Sequence, residues 1–269
     1  MAGAVLSASP LGAAVEQTIR EALAEDRVEV CYQPIYAVRS DSFPAAEALC
    51  RLRLRDGGLL SPAQFIPAAE ATGLIAALGE RVFARVCRFL QRAGAEAPEQ
   101  IGVNLSPIQC GDPTLAARYG ALAARYGIEP RRIPLEITET AADCGKAAFL
   151  EQLRALREQG FDLVLDDFGS GASDLLRLAE TPVRYLKVDR SLTRRYFTEP
   201  EARDTVAALM AIGRERRLGV VFEGVETAEQ AAGVAAVGAD YLQGYYYAAP
   251  LSEGDFSEFL SRPKQNRHF

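Results

Sequence analysis

Carboxylates recur along this sequence at the ends of short apolar segments. Glu47, Glu136 and Glu223 each lie in or close such a segment, and Asp166 and Asp167 close another. Crowded carboxylates repel one another, and burying each one is costly unless a cation neutralises it. Oxygen ligands of this kind suit Mg²⁺, Mn²⁺ or Ca²⁺. The residue types therefore indicate a divalent-metal site.

Other polar residues stand at corresponding positions. Asn104 and Gln243 close two further segments, Lys187 and Asp189 flank the end of another, and Glu226 follows the last acidic one. Taken alone, Asp189 fits a helix cap and Glu226 fits an exposed acid in a first helical turn. A series of consecutive segments that end in polar groups is better explained by one shared site, because the carboxyl ends of barrel strands meet at one mouth.

The adjacent pair Asp166-Asp167 needs a change of direction in the chain. Neighbouring residues on a strand point to opposite faces, so we expect the strand to end here and both carboxylates to reach the mouth. Two cations held by a bridging carboxylate would suit in-line displacement at phosphorus. Gly169 and Gly171 follow the pair, which is typical of a mobile loop beside a site and equally of an ordinary βα turn.

Composition excludes several other chemistries. The 269 residues carry a net charge of −6 and one histidine, His268, so a histidine-rich metal site or a catalytic triad would require the tail to fold back. Five widely spaced cysteines without a CxxC pair predict no disulfide framework and a reducing, cytoplasmic location. The acidic balance predicts no binding of DNA or RNA duplexes, and no stretch is apolar enough to span a bilayer.

The elements that must position these residues alternate between short β-rich segments and longer helical patterns, which is typical of βα units. About ten residues join the first two segments, too few for a parallel crossover, so one of them should run antiparallel to its neighbour. We predict an α/β fold, a modified (β/α)₈ TIM barrel with one antiparallel strand; a doubly wound open sheet is the alternative. The predicted strands are Val28–Ile35, Ala45–Arg51, Gly102–Leu105, Pro134–Ile137, Leu163–Asp166, Tyr185–Val188, Val220–Glu223 and Tyr241–Gln243.

No serine- or glycine-rich linker divides the chain. We therefore assign residues 15–262 to one barrel domain, 1–14 to a flexible N-terminal tail and 263–269 to a C-terminal tail. The N-terminal residues lack the basic start of a signal peptide.

Several motifs in this order resemble the EAL family of cyclic di-GMP phosphodiesterases. A single Glu-Ala-Leu would carry no weight, whereas so many blocks in register are specific. The similarity extends from about residue 15 to about residue 260. The matching blocks are Tyr32-Gln33-Pro34-Ile35, Glu47-Ala48-Leu49, Phe65-Ile66-Pro67 with Glu70, Gly73-Leu74-Ile75, Val103-Asn104-Leu105-Ser106, Glu136-Ile137-Thr138-Glu139, Asp166-Asp167-Phe168-Gly169-Ser170-Gly171, Leu186-Lys187-Val188-Asp189-Arg190-Ser191, Glu223-Gly224-Val225-Glu226-Thr227 and Gln243-Gly244-Tyr245.

The resemblance implies an enzyme that hydrolyses one phosphodiester bond of cyclic di-GMP by attack of a metal-activated water and releases linear pGpG. It implies Mg²⁺ or Mn²⁺, as two ions, and we expect Ca²⁺ to bind and inhibit. Lys187 would orient or polarise the water, and Arg51 would donate to phosphate. The implied metal ligands are Glu47, Asn104, Glu136, Asp166, Asp167 and Glu223, the catalytic residues Glu47, Lys187, Glu223, Asp166 and Asp167, the substrate contacts Gln33, Leu49, Arg51, Asn104 and Gln243, and the loop supports Glu139, Asp189 and Glu226.

The sequence departs from the family pattern at two places. Leu52 stands where an aromatic residue, usually tryptophan, commonly follows the arginine, and Ala172-Ser173-Asp174 replaces Tyr-Ser-Ser in the mobile loop. These changes bear on loop closure, dimer-linked activation and substrate stacking more than on metal ligation. The resemblance also implies a homodimer and a sensory or regulatory partner. The alternatives are a catalytically weak module that binds cyclic di-GMP as a sensor or effector and, third, a scaffold that binds only protein.

Overall fold

The computed structural model describes residues 10–138, 146–169 and 181–262. Strands and helices alternate along most of these ranges. The strands are β1 (Val28–Ala37), β2 (Ser42–Arg53), β3 (Leu59–Leu60), β4 (Gln100–Asn104), β5 (Leu135–Thr138), β6 (Leu163–Phe168), β7 (Tyr185–Val188), β8 (Gly219–Phe222) and β9 (Tyr241–Leu242). The helices are α1 (Pro10–Ala24), α2 (Pro62–Ala71), α3 (Ile75–Ala93), α4 (Leu115–Tyr126), α5 (Lys146–Glu158), α6 (Arg190–Tyr196), α7 (Pro200–Arg216), α8 (Ala228–Val237) and α9 (Glu253–Ser261).

The strands form a closed barrel. Their order is β1-β9-β8-β7-β6-β5-β4-β2-β3, and an additional pairing of β1 with β2 closes the sheet on itself. Strand β1 runs antiparallel to both β2 and β9, whereas the pairs from β2–β4 round to β8–β9 are parallel. The predicted barrel with one antiparallel strand is confirmed, and the open-sheet alternative is wrong.

Strand β3 was not predicted. It is an added strand of two residues that pairs antiparallel with the end of β2, Leu52↔Leu60 and Arg53↔Leu59. The hairpin that carries it has Gly57 at φ 91°, a conformation that glycine adopts without steric cost. A run of two paired residues has no periodicity, so only the tertiary arrangement reveals this strand.

Three predicted strand ends, Leu105, Glu223 and Gln243, lie one residue beyond the observed ends of β4, β8 and β9. Strand β8 ends at Phe222 and β9 ends at Leu242, so Glu223 and Gln243 are the first residues beyond their strands. Their backbone N–H groups still follow the ladder, because Glu223 N donates to Val188 O at 3.1 Å and Gln243 N donates to Phe222 O at 2.9 Å. Both side chains therefore start from positions that the barrel fixes.

The strand that carries Asp166 and Asp167 differs from the sequence-based expectation. We expected the strand to end at this pair, but β6 continues through Phe168. Its register against β7 shifts between Leu165 and Phe168, and Asp167 has φ 56°, in the left-handed region. These are the features of a β-bulge, which bends the strand and redirects a side chain. The bulge, and not the strand end, lets consecutive residues serve the same site.

The helices cover the barrel with apolar faces. Helix α3 buries Leu78, Val82, Val86 and Phe89 at helical spacing against the strands. Helix α8 begins with a capping box, in which the Thr227 side chain accepts from Gln230 N. Helix α1 begins at Pro10, within the segment assigned to a tail from the sequence. In the described part of the chain, no helix combines the length and apolar character that crossing a membrane requires.

Candidate active site

The ammonium group of Lys187 lies at the centre of the barrel mouth. Lys187 comes from β7, and the residue is 1% exposed. Its Nζ lies 2.6 Å from Glu223 Oε1, 2.8 Å from Glu136 Oε2, 3.0 Å from Glu47 Oε2 and 3.3 Å from Asp166 Oδ1. Residues from five strand positions thus converge on one point, as the sequence predicted for the carboxylates. The role of Lys187 as their common partner was not apparent from the sequence.

Gly102 makes room for this convergence. It lies on β4 opposite Glu47 of β2, while Glu136 comes from β5 on the other side. A Cβ atom at Gly102 would lie 1.9 Å from Glu136 Oε1, so the carboxylate fills the space that a side chain would occupy. Sequence reasoning missed this residue. The signal was a glycine inside a strand, which often marks a close approach of another group.

The pKa values in the cluster reflect burial first and charge second. Burial by itself would lower the pKa of Lys187, but the carboxylates of Asp166, Glu136, Glu223 and Glu47 raise it well above its usual value. Lys187 therefore stays protonated at neutral pH. Burial raises the pKa of Glu136 well above its usual range, raises that of Asp166, and raises that of Glu223 to about 8, although Lys187 opposes each shift.

Glu47 is the exception among these acids. Burial would raise its pKa, but the charge of Lys187 and hydrogen bonds from Gln243, Asn104 and Lys187 outweigh that cost and lower it. Asn104 Nδ2 donates to Glu47 Oε1 at 2.8 Å, and Gln243 Nε2 donates to Glu47 Oε2 at 2.8 Å. Glu47 is thus the carboxylate best stabilised as an anion. One ammonium cannot neutralise four ionised carboxylates, so the acids with raised pKa values retain protons unless a cation is bound in their place.

Two overlapping groups of acids have the geometry to hold cations. Oxygen atoms of Glu47, Glu136 and Asp166 lie within 4.8 Å of one another, as do oxygen atoms of Asp166, Asp167 and Glu223. Asp166 belongs to both groups, which is the arrangement of a carboxylate that bridges two ions. All these ligand atoms are oxygens, so the residues fit hard divalent cations such as Mg²⁺ and Mn²⁺.

Asp167 is the most exposed acid of the second group. Burial and the charge of Asp166 raise its pKa to about 6, and Asp189 contributes in the same direction. Asp167 N donates to Asp166 Oδ1 at 2.9 Å, which orients the neighbouring carboxylate. This pair can take up a cation readily at neutral pH, because a cation relieves the repulsion that raises the pKa.

An open cavity of about 430 Å³ lies beside the cluster at the barrel mouth. Glu47 and Asn104 form one side, and Leu49, which is half-buried, forms part of the wall. Ser106 Oγ donates to Glu70 Oε1 at 2.7 Å at its rim. The mixture of apolar walls and a few polar groups suits a small organic ligand that extends from the acids.

Other predicted site residues have local contacts. Arg51 is half-buried and donates from Nη1 to Cys50 O at 2.8 Å. Asp189 Oδ1 accepts from Ser191 N at 2.8 Å and caps α6, as one interpretation of the sequence allowed. Glu226 is exposed, and its backbone N–H donates to Gln230 Oε1. Glu139 and the altered segment Ala172-Ser173-Asp174 lie outside the described residues.

Comparisons with known proteins identify the family. The EAL domain family model matches residues 16–250. The bifunctional diguanylate cyclase/cyclic di-GMP phosphodiesterase MucR of Pseudomonas aeruginosa is 34% identical over 87% of this chain and 34% of its own length. Cyclic di-GMP phosphodiesterase RocR of the same organism is 32% identical over 87% of this chain and 60% of its own length. A solved complex of the MucR phosphodiesterase with c-di-GMP superposes with a TM-score of 0.83, at 33% identity over 90% of this chain and 99% of that chain.

The chain therefore belongs to the EAL domain family. Its barrel fold and acidic cluster agree with a family that includes named cyclic di-GMP phosphodiesterases. The chain spans only 28%, 32% and 36% of the length of three of the curated relatives that it matches.

Proposed function

We propose that this chain is a metal-dependent phosphodiesterase that hydrolyses one phosphodiester bond of cyclic di-GMP and releases linear pGpG. The observation that carries the proposal is the cluster of four carboxylates around Lys187, which together with Asp167 comprises every acidic ligand that the family resemblance implies. A protein that used this barrel only as a scaffold would gain nothing from an excess of buried negative charge, which is costly to maintain.

Divalent cations are assigned to the two acidic groups. We propose two ions, Mg²⁺ or Mn²⁺, with Asp166 shared between them. When bound, they would make a water more acidic and offset charge on the phosphoryl oxygens. Ca²⁺ would occupy the same ligands with looser, higher coordination and so inhibit. The proposed ligands are Glu47, Asn104, Glu136, Asp166, Asp167 and Glu223.

Lys187 contributes a fixed positive charge. Because the surrounding acids keep its pKa high, it cannot serve as a general base at neutral pH. Its ammonium would instead donate a hydrogen bond to the attacking water or to a phosphoryl oxygen. Donors positioned in advance in this way stabilise charge as it develops, without the reorganisation that solvent would need.

Substrate recognition is assigned to the cavity beside Glu47. Leu49 and Asn104 line it, and the guanidinium of Arg51 has donors beyond the one committed to Cys50 O that can meet a phosphate. Gln33 and Gln243 complete this set. Glu139, Asp189 and Glu226 are proposed to support the loop after β6, and a homodimer, a cytoplasmic setting and a sensory or regulatory partner remain proposals that rest on the resemblance.

The direct test is hydrolysis with the metal varied. Purified protein is incubated with cyclic di-GMP and Mg²⁺, Mn²⁺, Ca²⁺ or EDTA, and the nucleotides are separated by chromatography. We expect pGpG with Mg²⁺ or Mn²⁺, none with EDTA, and loss of turnover when Ca²⁺ is added. Folded protein that yields no pGpG with either activating metal would refute the proposal.

The altered segment Ala172-Ser173-Asp174 favours one other candidate, a binding module with weak catalysis. Calorimetry with cyclic di-GMP in Ca²⁺ separates the two functions. Tight binding without turnover in Mg²⁺ or Mn²⁺ would select the module, whereas no heat at all would point to a protein scaffold.

A further inference from the structure

Gln33 and Gln243 form a buried chain of hydrogen bonds that ends at Glu47. Gln33 Nε2 donates to Ala248 O at 3.1 Å, Gln243 Nε2 donates to Gln33 Oε1 at 3.1 Å, and the same Nε2 donates to Glu47 Oε2 at 2.8 Å. The two glutamines are 9% and 4% exposed, so water does not compete for these bonds.

The orientation of both amides follows from one backbone carbonyl. Ala248 O can only accept, so the end of Gln33 that faces it must be Nε2, and the other end must be Oε1. That oxygen requires a donor, so the atom of Gln243 that faces it must be Nε2. The carboxylate of Glu47 requires the same end. Both N–H groups of Gln243 are thereby used, and reversing either amide would set two acceptors against each other.

The antiparallel strand is what places Gln33 in this chain. In the ladder between β1 and β2, Gln33 is the direct partner of Glu47, so their side chains share the inner face. Strand β9 pairs with β1 on its other edge, and Gln243 follows β9 immediately. Gln33 therefore lies between a strand that carries the acid and a strand that carries the second amide.

The far end of the chain is anchored by tightly packed backbone. A Cβ atom at Gly244 would lie 2.1 Å from Val225 O, so only glycine permits this approach. Tyr246 N donates to Val225 O at 3.0 Å, and Ala248 N donates to Gly244 O at 3.1 Å. The carbonyl that orients Gln33 is therefore held by a rigid turn.

The hydrogen-bond chain leaves one acceptor without a donor among the described residues. Gln243 Oε1 is buried and accepts no hydrogen bond from the described residues. A buried polar atom without a partner is costly, and the cost is removed when a ligand or a water donates to it. The hydrogen-bond chain fixes this oxygen in place, because the nitrogen of the same amide is held by Gln33 and Glu47.

We infer that Gln33 is a positioning residue that holds the side-chain carbonyl of Gln243 as the acceptor for a hydroxyl or water proton beside Glu47. This inference rests on the proposed function, and it gives Gln33 an indirect route to the substrate. If Gln33 instead contacted the substrate directly, its loss would raise KM and leave kcat unchanged.

A double-mutant cycle tests the inference. Gln33→Met and Gln243→Met keep the shape of each side chain and remove its polar ends. We expect each variant to lower kcat by about tenfold with little change in KM, and the double variant to fall no more than about twofold below the lower single one. Effects that multiply to about a hundredfold, or a rise in KM at unchanged kcat, would overturn the inference.

Gln109→Met is the matched control. Gln109 is a buried glutamine near the same mouth, 4% exposed, whose Nε2 donates to Tyr119 OH at 3.0 Å. In the double variant with Gln243→Met, the fold-changes in kcat of the two single variants should multiply, because Gln109 does not belong to the hydrogen-bond chain.

A second measurement does not depend on turnover. In spectra of protein labelled with ¹⁵N-glutamine, the side-chain N–H protons of Gln243 should exchange slowly in the parent and faster in Gln33→Met, but not in Gln109→Met. Unchanged exchange in Gln33→Met would overturn the inference. If the parent protein failed to hydrolyse cyclic di-GMP, the proposed function would fail while this measurement still decided the role of Gln33.

Discussion

At the C-terminal mouth of the barrel one ammonium lies among four carboxylates, whereas at the opposite end one carboxylate lies among cations. Asp162, just before β6, is 8% exposed; its Oδ1 lies 2.7 Å from Arg157 Nη1 and its Oδ2 lies 3.6 Å from Arg184 Nε. Gln100 Nε2 adds a donor at 3.4 Å. The acid at this end has more than enough positive charge around it.

The two ends therefore differ in what holds them together. The Asp162 cluster is complete without any ligand. Its partners lie in the last turn of α5 and at the starts of β4 and β7, at the end where barrels carry residues for stability. The Lys187 cluster has more acids than cations, and we propose that divalent cations complete it. We infer from this difference that the unbalanced cluster marks the functional end of the barrel, and the following changes test that comparison.

The largest effect should come from neutralising one acid of the mouth. Glu47→Gln keeps the size of the side chain and removes a proposed ligand. We expect kcat/KM to fall by at least about a thousandfold, because the change removes both a ligand and a charge in the site. The melting temperature in EDTA should fall modestly, because the anion of Glu47 accepts hydrogen bonds from Asn104, Lys187 and Gln243, and the variant should remain folded. A variant that retained a tenth or more of the activity would contradict the assignment of Glu47.

Removing the central cation should affect stability most strongly. Lys187→Met leaves four carboxylates without their partner, a loss of roughly 3–5 kcal/mol for a buried pair that is broken. Denaturant unfolding in EDTA would measure it. Added Mn²⁺ should restore stability to this variant more than to the parent, because the ion replaces the missing charge. Equal stability of both proteins in EDTA would show that the acids are protonated and do not need Lys187.

A matched change at the Asp162 end should lower stability and leave turnover nearly unchanged. Asp162→Asn removes the charge that Arg157 and Arg184 share, and we expect a loss of roughly 1–2 kcal/mol of stability, reduced because both arginines are partly exposed. Hydrolysis of cyclic di-GMP should stay within about twofold of the parent, since the site lies at the other mouth. A large loss of turnover with stability retained would mean that the two ends are not independent.

The pH dependence of stability should be the most gradual of these effects, because it is spread over several pH units. The pKa of Glu223 is raised to about 8 and that of Asp167 to about 6, so the folded chain binds protons that the unfolded chain has released. In EDTA, the stability that these two groups contribute should be fully present below about pH 4 and be lost as pH rises through about 8. Mg²⁺ should flatten the fall, and Glu223→Gln should remove part of it. Stability that rises over this range would contradict these shifts.

The sequence predicted much of the barrel and most of the acids. The eight main strands were found in order, and the short connection after Ile35 correctly indicated an antiparallel strand. Strand β3 was missed, because two residues carry no periodic signal, and the chain was expected to leave β6 at Asp167. A bulge depends on the register with β7, which is a long-range property that local pattern does not encode.

The sequence by itself determined which donor atoms the candidate site offers. One histidine and many acids leave oxygen as the metal ligand, and the order of βα units directs those acids to one mouth. Only the tertiary structure decided how they meet: Lys187 as the shared partner, Gly102 as the space for Glu136, and Gln33 between Glu47 and Gln243. These contacts join strands far apart in sequence, and barrel closure alone makes such strands neighbours.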